Sequence, residues 1–327
     1  MIAHTTAPSA CGEHVADVHS LIGSAYTARD ASDHGQAEHL LRQAVAHTQG
    51  QALAPARVQA QTALAEIWRQ RGQYRRAGLL LRLTLTTAET ACGVKSLQVA
   101  AVCNEWAILG KYTGDFVHAE TLYHRALAIY ETVHGSEHHT VATICHNLGG
   151  LAHTRGDHAT GEPWARRAVD IRTRLLGADH PKVAADAAAW AALLDGTGRH
   201  DQAEQVLRRA LEIFEATYGP DHYEVAITAH NLAALAHRRG DLQAAQAGYR
   251  HALALKQAIL GPEHPECATT LVNLAATHHR QGDDAQALGH YALAIAILEG
   301  AVEPDHPVLT IARRGHTQTT AQPPSDQ

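Results

Sequence analysis

The sequence lacks any segment that would cross a membrane or direct secretion. Only 18% of its 327 residues are charged, yet no apolar stretch approaches the roughly 18 residues that a membrane-spanning helix needs. The first nineteen residues have neither a basic start nor an apolar run, so we expect no secretory signal. We therefore predict a cytoplasmic protein without a membrane partner.

Cysteine is scarce and shows no paired spacing. The chain has five cysteines, an odd number, and no Cys-x-x-Cys motif. Cys103 and Cys145 are 42 residues apart among apolar neighbours, which indicates buried thiols rather than a disulfide framework. A reducing environment is consistent with this pattern.

Signatures of nucleic-acid binding and of the common enzyme classes are also missing. The net charge of −6 with neutral histidines excludes a general nucleic-acid footprint. We find no nucleophile elbow, phosphate loop, dinucleotide fingerprint or His-Glu-x-x-His motif. We therefore predict no cofactor and no nucleic-acid partner.

Glycine, by contrast, recurs at a constant interval of 42 residues. The positions are Gly72, Gly114, Gly156, Gly198, Gly240 and Gly282. A fixed period between about 20 and 50 residues is typical of solenoids, propellers and repeat arrays. An array grows by stacking, so a chain of this length needs no single large core.

Each period contains the pattern of a helical hairpin. In the segment 225–239, apolar residues recur every three or four positions, and Gly240 follows as a helix-ending glycine. A turn of sequence Gly-Pro-Glu-His-Pro at 261–265 then precedes the next helix. We expect its acidic residue to cap that helix and Pro265 to occupy its first turn. A lone hairpin cannot bury its apolar stripe, so neighbouring hairpins must complete it.

The fold class predicted from these features is all-α, a solenoid of about seven antiparallel helical hairpins. The solenoid covers 13–315, with hairpin turns near 32, 72, 114, 156, 198, 240 and 282. Residues 1–12 and 316–327 are predicted to be a disordered N-terminus and a disordered tail.

The pattern resembles the tetratricopeptide repeat, in the 42-residue form seen in kinesin light chains and in many bacterial proteins. The family's first helix reads approximately Leu-Asn-Asn-Leu-Ala, and residues 229–233 here read Ala-His-Asn-Leu-Ala. Its second helix is matched by Ala-Leu-Glu-Ile at 210–213 and by Ala-Leu-Ala-Leu at 252–255. The resemblance covers about 13–312, most closely from 98 onward. It implies a right-handed superhelical solenoid and a bacterial protein.

The resemblance also implies a concave groove lined by the first helix of each hairpin. The family's groove-facing asparagine corresponds to Asn147, Asn231 and Asn273, with Glu105 and Ala189 as departures. An asparagine offers a donor and an acceptor together, which suits a peptide amide. Neighbouring groove positions add the candidates Asn104, Lys111, Tyr112, His146, His153, His230, His237, Arg238, His279 and Arg280.

The fifth hairpin departs from its neighbours by presenting a run of alanines to the groove. We hypothesise that Ala188 and Ala192 form a shallow apolar depression for an apolar side chain or a small hydrophobic ligand. The alternative is that bulky residues of the second helix fill this space.

Histidine is unusually abundant, with 26 residues. Five are in phase in the turns and are predicted to bond across them: His138, His180, His222, His264 and His306. The groove histidines lie too far apart along and between helices to share one metal ion. The densest cluster is His134, His138 and His139, for which a zinc or copper site is the alternative to a solvated loop.

The sequence leaves three functions open. The first is a non-catalytic scaffold that holds a protein or peptide in its groove. The second is an enzyme or small-molecule-binding protein with a His/Asn/Glu-lined pocket, with or without a metal, in which His146, His230 and Glu105 would move protons. The third is a homo-oligomeric scaffold that pairs through exposed terminal repeats.

Overall fold

The computed structural model describes residues 10–31, 33–48, 53–302 and 304–321. Within these ranges all regular structure is helical, and fifteen α-helices follow one another along the chain. They are α1 (Ala10–Asp30), α2 (His34–Ala46), α3 (Ala54–Gln70), α4 (Tyr74–Cys92), α5 (Leu97–Thr113), α6 (Phe116–His134), α7 (His139–Arg155), α8 (His158–Leu176), α9 (Pro181–Gly196), α10 (His200–Tyr218), α11 (Tyr223–Arg239), α12 (Leu242–Leu260), α13 (Pro265–Arg280), α14 (Asp284–Leu298) and α15 (Pro307–Ala321).

Helices α1–α2 and α3–α4 pack as hairpins in the first part of the chain, and α7–α8, α9–α10, α11–α12 and α13–α14 do so further on. The predicted all-α repeat architecture is thus confirmed. The chain divides into two compact units. The first unit contains the described residues up to 109 together with 124–129, and the second contains 110–123 and those from 130 onward. No helix in the described ranges combines the length and the hydropathy that crossing a membrane requires.

The first unit has its core between α1, α2 and α3. Val18 and Ile22 of α1 pack with Leu41 of α2 and Leu64 and Ile67 of α3. The buried residues of each helix are three or four positions apart, so they lie on one face of that helix.

The second unit packs its helices closely through small residues. Ala184, Ala188 and Ala191 of α9 lie in one core cluster with Leu207 and Phe214 of α10. Gly161 of α8 shows how tight these crossings are. A Cβ atom there would lie 2.7 Å from Cβ of Ala152 and 2.8 Å from Cδ2 of Leu193. Only glycine fits such an approach without displacing its neighbours.

The repeated glycines end helices in a conformation that other residues adopt at a cost. Gly156 follows α7 with φ of 78°, and Gly240 follows α11 with φ of 85°. Both have the left-handed conformation that reverses the chain after a helix. The backbone of each hairpin turn thus requires a glycine, which recurs once per repeat of 42 residues.

The in-phase histidines cap the first helices, a role that we had assigned to the preceding acidic residue. In each case Nδ1 accepts the backbone N–H two residues later. The distances are 3.3 Å for His138, 3.1 Å for His180, and 3.2 Å for His222, His264 and His306. The imidazole nitrogen thus replaces the hydroxyl, carboxylate or carboxamide oxygen of a usual N-cap. The prediction that these histidines bond across the turn is supported, and the capping atom is corrected.

Removing one of these caps is expected to destabilise the protein. His222→Ala should lower the free energy of unfolding by about 0.5–2 kcal/mol, the usual cost of losing an N-cap acceptor. His222→Asn should lose much less, because its carboxamide oxygen can accept the same N–H. Urea denaturation at pH 7.5 measures both variants, and equal losses for Ala and Asn would contradict the capping role.

The last helix extends further than predicted. We expected a disordered tail from 316, but α15 continues to Ala321, and 322–327 lie outside the described residues. Leu309 and Ala312 pack in the core formed with α13 and α14. At Gly315 an added Cβ would lie 2.4 Å from Cζ of Tyr291, so the helix fits closely against that ring. The apolar stripe of α14 needs a covering helix, and α15 provides it.

The first helix also begins within a segment predicted to be disordered. Helix α1 begins at Ala10, and 1–9 lie outside the described residues.

Candidate functional site

First helices of the second unit enclose a small pocket, which we call the inner pocket. Its volume is about 140 Å³. Apart from Leu207 of α10, its lining comes from α7, α9, α11 and α13. The lining residues are His153, Ala191, Ala192, Asp195, Leu207, His230, Asn231, Ala234, Leu235, Arg238, Thr269 and Asn273. Six of the sequence-predicted candidates meet here: His153, Ala192, His230, Asn231, Arg238 and Asn273.

The groove asparagines differ in what they leave available to a ligand. Nδ2 of Asn273 lies 3.2 Å from Nε2 of His230 and donates to it. The carboxamide of Asn231 makes no hydrogen bond to any residue in the described ranges, although it is half-buried. Asn147, on α7, lies outside the lining. Asn231 is therefore the member of this set whose full hydrogen-bonding capacity faces the pocket.

His230 is a structural anchor rather than a free base. It is 9% exposed, and its Nδ1 lies 3.1 Å from Oγ1 of Thr270, which also accepts from Lys256 at 3.2 Å. Because Asn273 donates to Nε2, the ring proton is on Nδ1 and is donated to Thr270. Burial, with the nearby Lys256 and His153, holds the pKa of His230 well below its ordinary value. Both nitrogens are occupied, which argues against the predicted catalytic role.

The only acidic residue of the lining is neutralised by its neighbours. Asp195 is 6% exposed. Its Oδ2 lies 2.9 Å from Nη1 of Arg238, and its Oδ1 lies 2.7 Å from Nδ1 of His200. Asp195 shares the groove register of Lys111, His153, His237 and His279, although it was not one of the predicted site residues. An acidic residue near the end of the apolar run of α9 needs a partner.

His153 has no such partner. The same register of later first helices holds Asp195, which pairs with Arg238, and His237, whose Nδ1 lies 2.8 Å from Oγ1 of Thr277. From α9 the pocket receives Ala191, Ala192 and Asp195. Nδ1 of His153 is buried without a hydrogen-bond partner. Burial, together with the nearby His158, Arg238 and Lys111, lowers the pKa of His153 to about 4. The ring is therefore neutral at physiological pH.

The depressed pKa of His153 makes stability depend on pH. The unfolded chain protonates this histidine near its ordinary value of 6.5, whereas the folded protein does so only near 4. The stability that the fold gains by keeping His153 neutral is therefore fully present above pH 6.5 and is lost as the pH falls toward 4. This pH-dependent part of the free energy of unfolding is on the order of 3 kcal/mol at most. Urea denaturation measures the free energy of unfolding at pH 7 and at pH 4.5. Its decrease between the two pH values should be smaller for His153→Gln than for the wild type, and equal decreases would contradict the role of His153.

His146 lies outside the inner pocket and faces a buried carboxylate. Its side chain is 32% exposed, and Nδ1 lies 2.8 Å from Oδ1 of Asp186, off the line of a hydrogen bond. Asp186 is 2% exposed and accepts from Nε of Arg172 at 2.5 Å. Arg172 also donates to Thr143 at 3.0 Å. His146 therefore lies beside a buried charge pair, and about a third of its side chain is exposed.

The alanine run of α9 is divided between the core and the inner pocket. Ala188 is 5% exposed and belongs to the core cluster with Leu207 and Phe214, so it cannot line a depression. Ala192 lines the pocket. The proposed apolar depression is thus corrected at Ala188, where residues of the second helix fill the space.

The candidates of α5 do not belong to the inner pocket. Glu105 lies in the first unit, 6% exposed, with Oε1 2.6 Å from Nε of Arg69. Burial raises its pKa to about 7 against the opposing effect of Arg69. Asn104 is its neighbour on α5. Lys111 and Tyr112 follow in the second unit, with Nζ of Lys111 5.2 Å from the ring centre of Tyr112.

The remaining groove candidates connect the last repeats. Arg280 donates to the carbonyl of His237 at 2.7 Å, and Nδ1 of His279 lies 2.6 Å from Oδ1 of Asp284. These side chains already have partners, and none of them lines the inner pocket.

In the cluster of His134, His138 and His139 the first two rings are stacked, with centres 4.2 Å apart, and the last two are tilted, with centres 4.0 Å apart. Nδ1 of His138 is used to cap α7. In the described part of the chain, no group of three His, Cys, Asp or Glu residues has the arrangement of a metal site.

Family models described as tetratricopeptide repeat match the sequence over 103–140, 140–216, 184–258 and 224–300. These segments cover more than half of the chain, which therefore belongs to the tetratricopeptide repeat family. A comparison with proteins of curated function finds no match.

Solved structures share the fold at low sequence identity. A Rap protein complexed with competence and sporulation factor is 16% identical, with 92% of this chain and 85% of that chain covered and a TM-score of 0.68. A tetratricopeptide repeat protein from Parabacteroides merdae ATCC 43184 is 16% identical, with 93% and 99% covered and a TM-score of 0.54. A putative kinesin light chain with nearly identical TPR-like repeats, from Podosopora anserina, is 22% identical, with 62% and 96% covered and a TM-score of 0.49. At these identities the likeness concerns the fold.

Proposed function

We propose that this protein is a non-catalytic binding protein that holds an extended segment of a protein or peptide partner against the first helices of its second unit. The observation that carries the proposal is the unpaired carboxamide of Asn231 in a pocket to which α7, α9, α11 and α13 all contribute. A half-buried amide without a hydrogen bond is suited to a ligand that supplies one.

The fold of the Rap protein supports the same proposal by analogy. That protein was solved in complex with competence and sporulation factor, and its fold matches most of this chain. The analogy concerns architecture only, because a fold hosts many functions. The residues of the inner pocket carry the specific part of the argument.

The proposal is tested by selecting binders from a displayed random-peptide library against the full chain. Asn231→Ala should weaken a selected peptide by roughly tenfold or more, since a buried amide of the ligand loses its partner. Arg166→Ala, on the exposed side of α8, is the matched control and should leave affinity unchanged. Failure to select any peptide, or equal effects of the two substitutions, would rule the proposal out.

An enzyme is the second candidate, favoured by the orientation of His146 toward buried Asp186. A histidine held this way resembles a general base with its orienting carboxylate. Burial raises the pKa values of Cys103, Cys145 and Cys267 to about 11, so these three thiols are not activated nucleophiles. The enzyme alternative requires that the protein turn over a substrate, that His146→Ala abolish this activity, and that His279→Ala retain it.

The oligomeric alternative loses its main support at the C-terminal repeat. It depended on an uncovered solenoid end, whereas α15 buries Leu309 and Ala312 against the last hairpin. Exposed Ile311 remains on the outer side of α15, but single exposed apolar residues are ordinary on protein surfaces.

A further inference from the structure

The inner pocket is large enough for one side chain of medium size and is electrically neutral. Its volume is about 140 Å³. Arg238, the positive charge of the lining, is paired with Asp195 at 2.9 Å, and Asp195 is shared with His200. A charged ligand group would lose its hydration here without meeting an uncompensated opposite charge, which is costly. The pocket therefore favours a neutral polar group.

His153 supplies this pocket with a hydrogen-bond donor. Its Nδ1 is buried and has no hydrogen-bond partner. A proton on Nδ1 would leave a buried N–H without an acceptor, and such orphaned N–H groups are rare in proteins. Nε2 is not buried without a partner, so a proton there can meet water or a ligand. We therefore place the proton of the neutral ring on Nε2. In the described part of the chain, no residue accepts from this N–H.

Asn231 adds a complementary pair of groups across the pocket. Its carboxamide offers one acceptor oxygen and two N–H donors, all unused within the described ranges. The neutral group that satisfies an acceptor, a donor and the N–H of His153 together is another primary amide. Ala191, Ala192 and Ala234 add methyl groups to the lining, which suit one or two methylene carbons of a ligand.

We propose that the inner pocket is a specificity site for the side-chain carboxamide of an asparagine or glutamine in the bound partner. The carbonyl oxygen of that amide accepts from Nε2 of His153, and the amide group pairs with Asn231. The inference rests on the proposed function and states which residue of the partner the pocket selects.

The test repeats the random-peptide selection with the wild type, His153→Gln and His153→Leu. Glutamine can place its Nε2 donor close to the position of the imidazole Nε2, whereas leucine has a similar bulk without a donor. Asparagine or glutamine should be enriched at one peptide position with the wild type and with His153→Gln. The enrichment should disappear with His153→Leu, and thermal melts establish that all three proteins are folded. Changing the selected amide residue to aspartate or glutamate should weaken wild-type binding at least tenfold.

Other outcomes separate this inference from the proposed function. Enrichment of acidic residues, or an amide preference that persists in His153→Leu, overturns the carboxamide assignment while leaving peptide binding intact. Selection of no peptide at all overturns both. Displacement of a selected peptide by an equal concentration of free L-asparagine or L-glutamine would assign the pocket to a free amino acid and overturn a partner-borne side chain.

Discussion

Arg172→Met is expected to lower the free energy of unfolding by about 3–5 kcal/mol, the cost of leaving a buried charge without its partner. Asp186 is 2% exposed, and Nε of Arg172 is its closest donor at 2.5 Å. After the substitution the guanidinium is gone, and His146, 2.8 Å from Oδ1, is the remaining described neighbour of the carboxylate.

Two variants control this result in urea denaturation. Arg167→Met removes a neighbouring arginine of α8 whose partner, Glu131, is partly exposed, and should cost less than about 1 kcal/mol. The double variant Arg172→Met/Asp186→Leu should recover much of the lost stability, because no unpaired charge remains. If Arg172→Met lowers the free energy of unfolding no more than Arg167→Met does, the buried charge of Asp186 does not need Arg172 as its partner.

Ala192→Trp is expected to reduce the affinity for a selected peptide by on the order of 100-fold while the protein stays folded. Ala192 lines a pocket of about 140 Å³, and an indole at this position would occupy most of it. The neighbouring substitution Ala188→Trp should behave differently. Ala188 is 5% exposed in a packed core, so overpacking should cost about 1–3 kcal/mol or more of stability.

Fluorescence polarisation with a labelled peptide and a thermal melt distinguish the two alanine substitutions. Ala192→Trp should abolish binding with a melting temperature close to that of the wild type, and Ala188→Trp should lower the melting temperature. Unchanged binding by folded Ala192→Trp would exclude the inner pocket as the contact with the partner.

The architecture was accessible from the sequence because its determinants are local. Gly156 and Gly240 are needed where the backbone takes positive φ, and apolar spacing defines the buried face of each helix. The turn histidines were recognised by their phase, but the capping atom was not. Histidine is unusual as an N-cap, and only its position relative to the following N–H shows Nδ1 as the acceptor.

The site was accessible in part, because residues in equivalent registers have different neighbours. Asn231 and Asn273 occupy the same position in consecutive repeats, yet Asn273 is bonded to His230 and Asn231 has no partner. Ala188 and Ala192 lie one helical turn apart, and packing against α10 buries only the first of them in the core. Arg172 and Asp186 pair between α8 and α9, and two repeats later the same positions hold Lys256 and Thr270, which form a hydrogen bond without a paired carboxylate.

The sequence by itself determined the helical hairpins, their number and their period, since these follow from backbone conformation and from the spacing of apolar residues within each repeat. Tertiary structure alone decided which polar groups are left for a ligand. A hydrogen bond between neighbouring first helices depends on which side chains face each other: His237 meets Thr277, whereas Nδ1 of His153 has no hydrogen-bond partner. Equivalent positions in the repeats therefore have one fold and different chemistry.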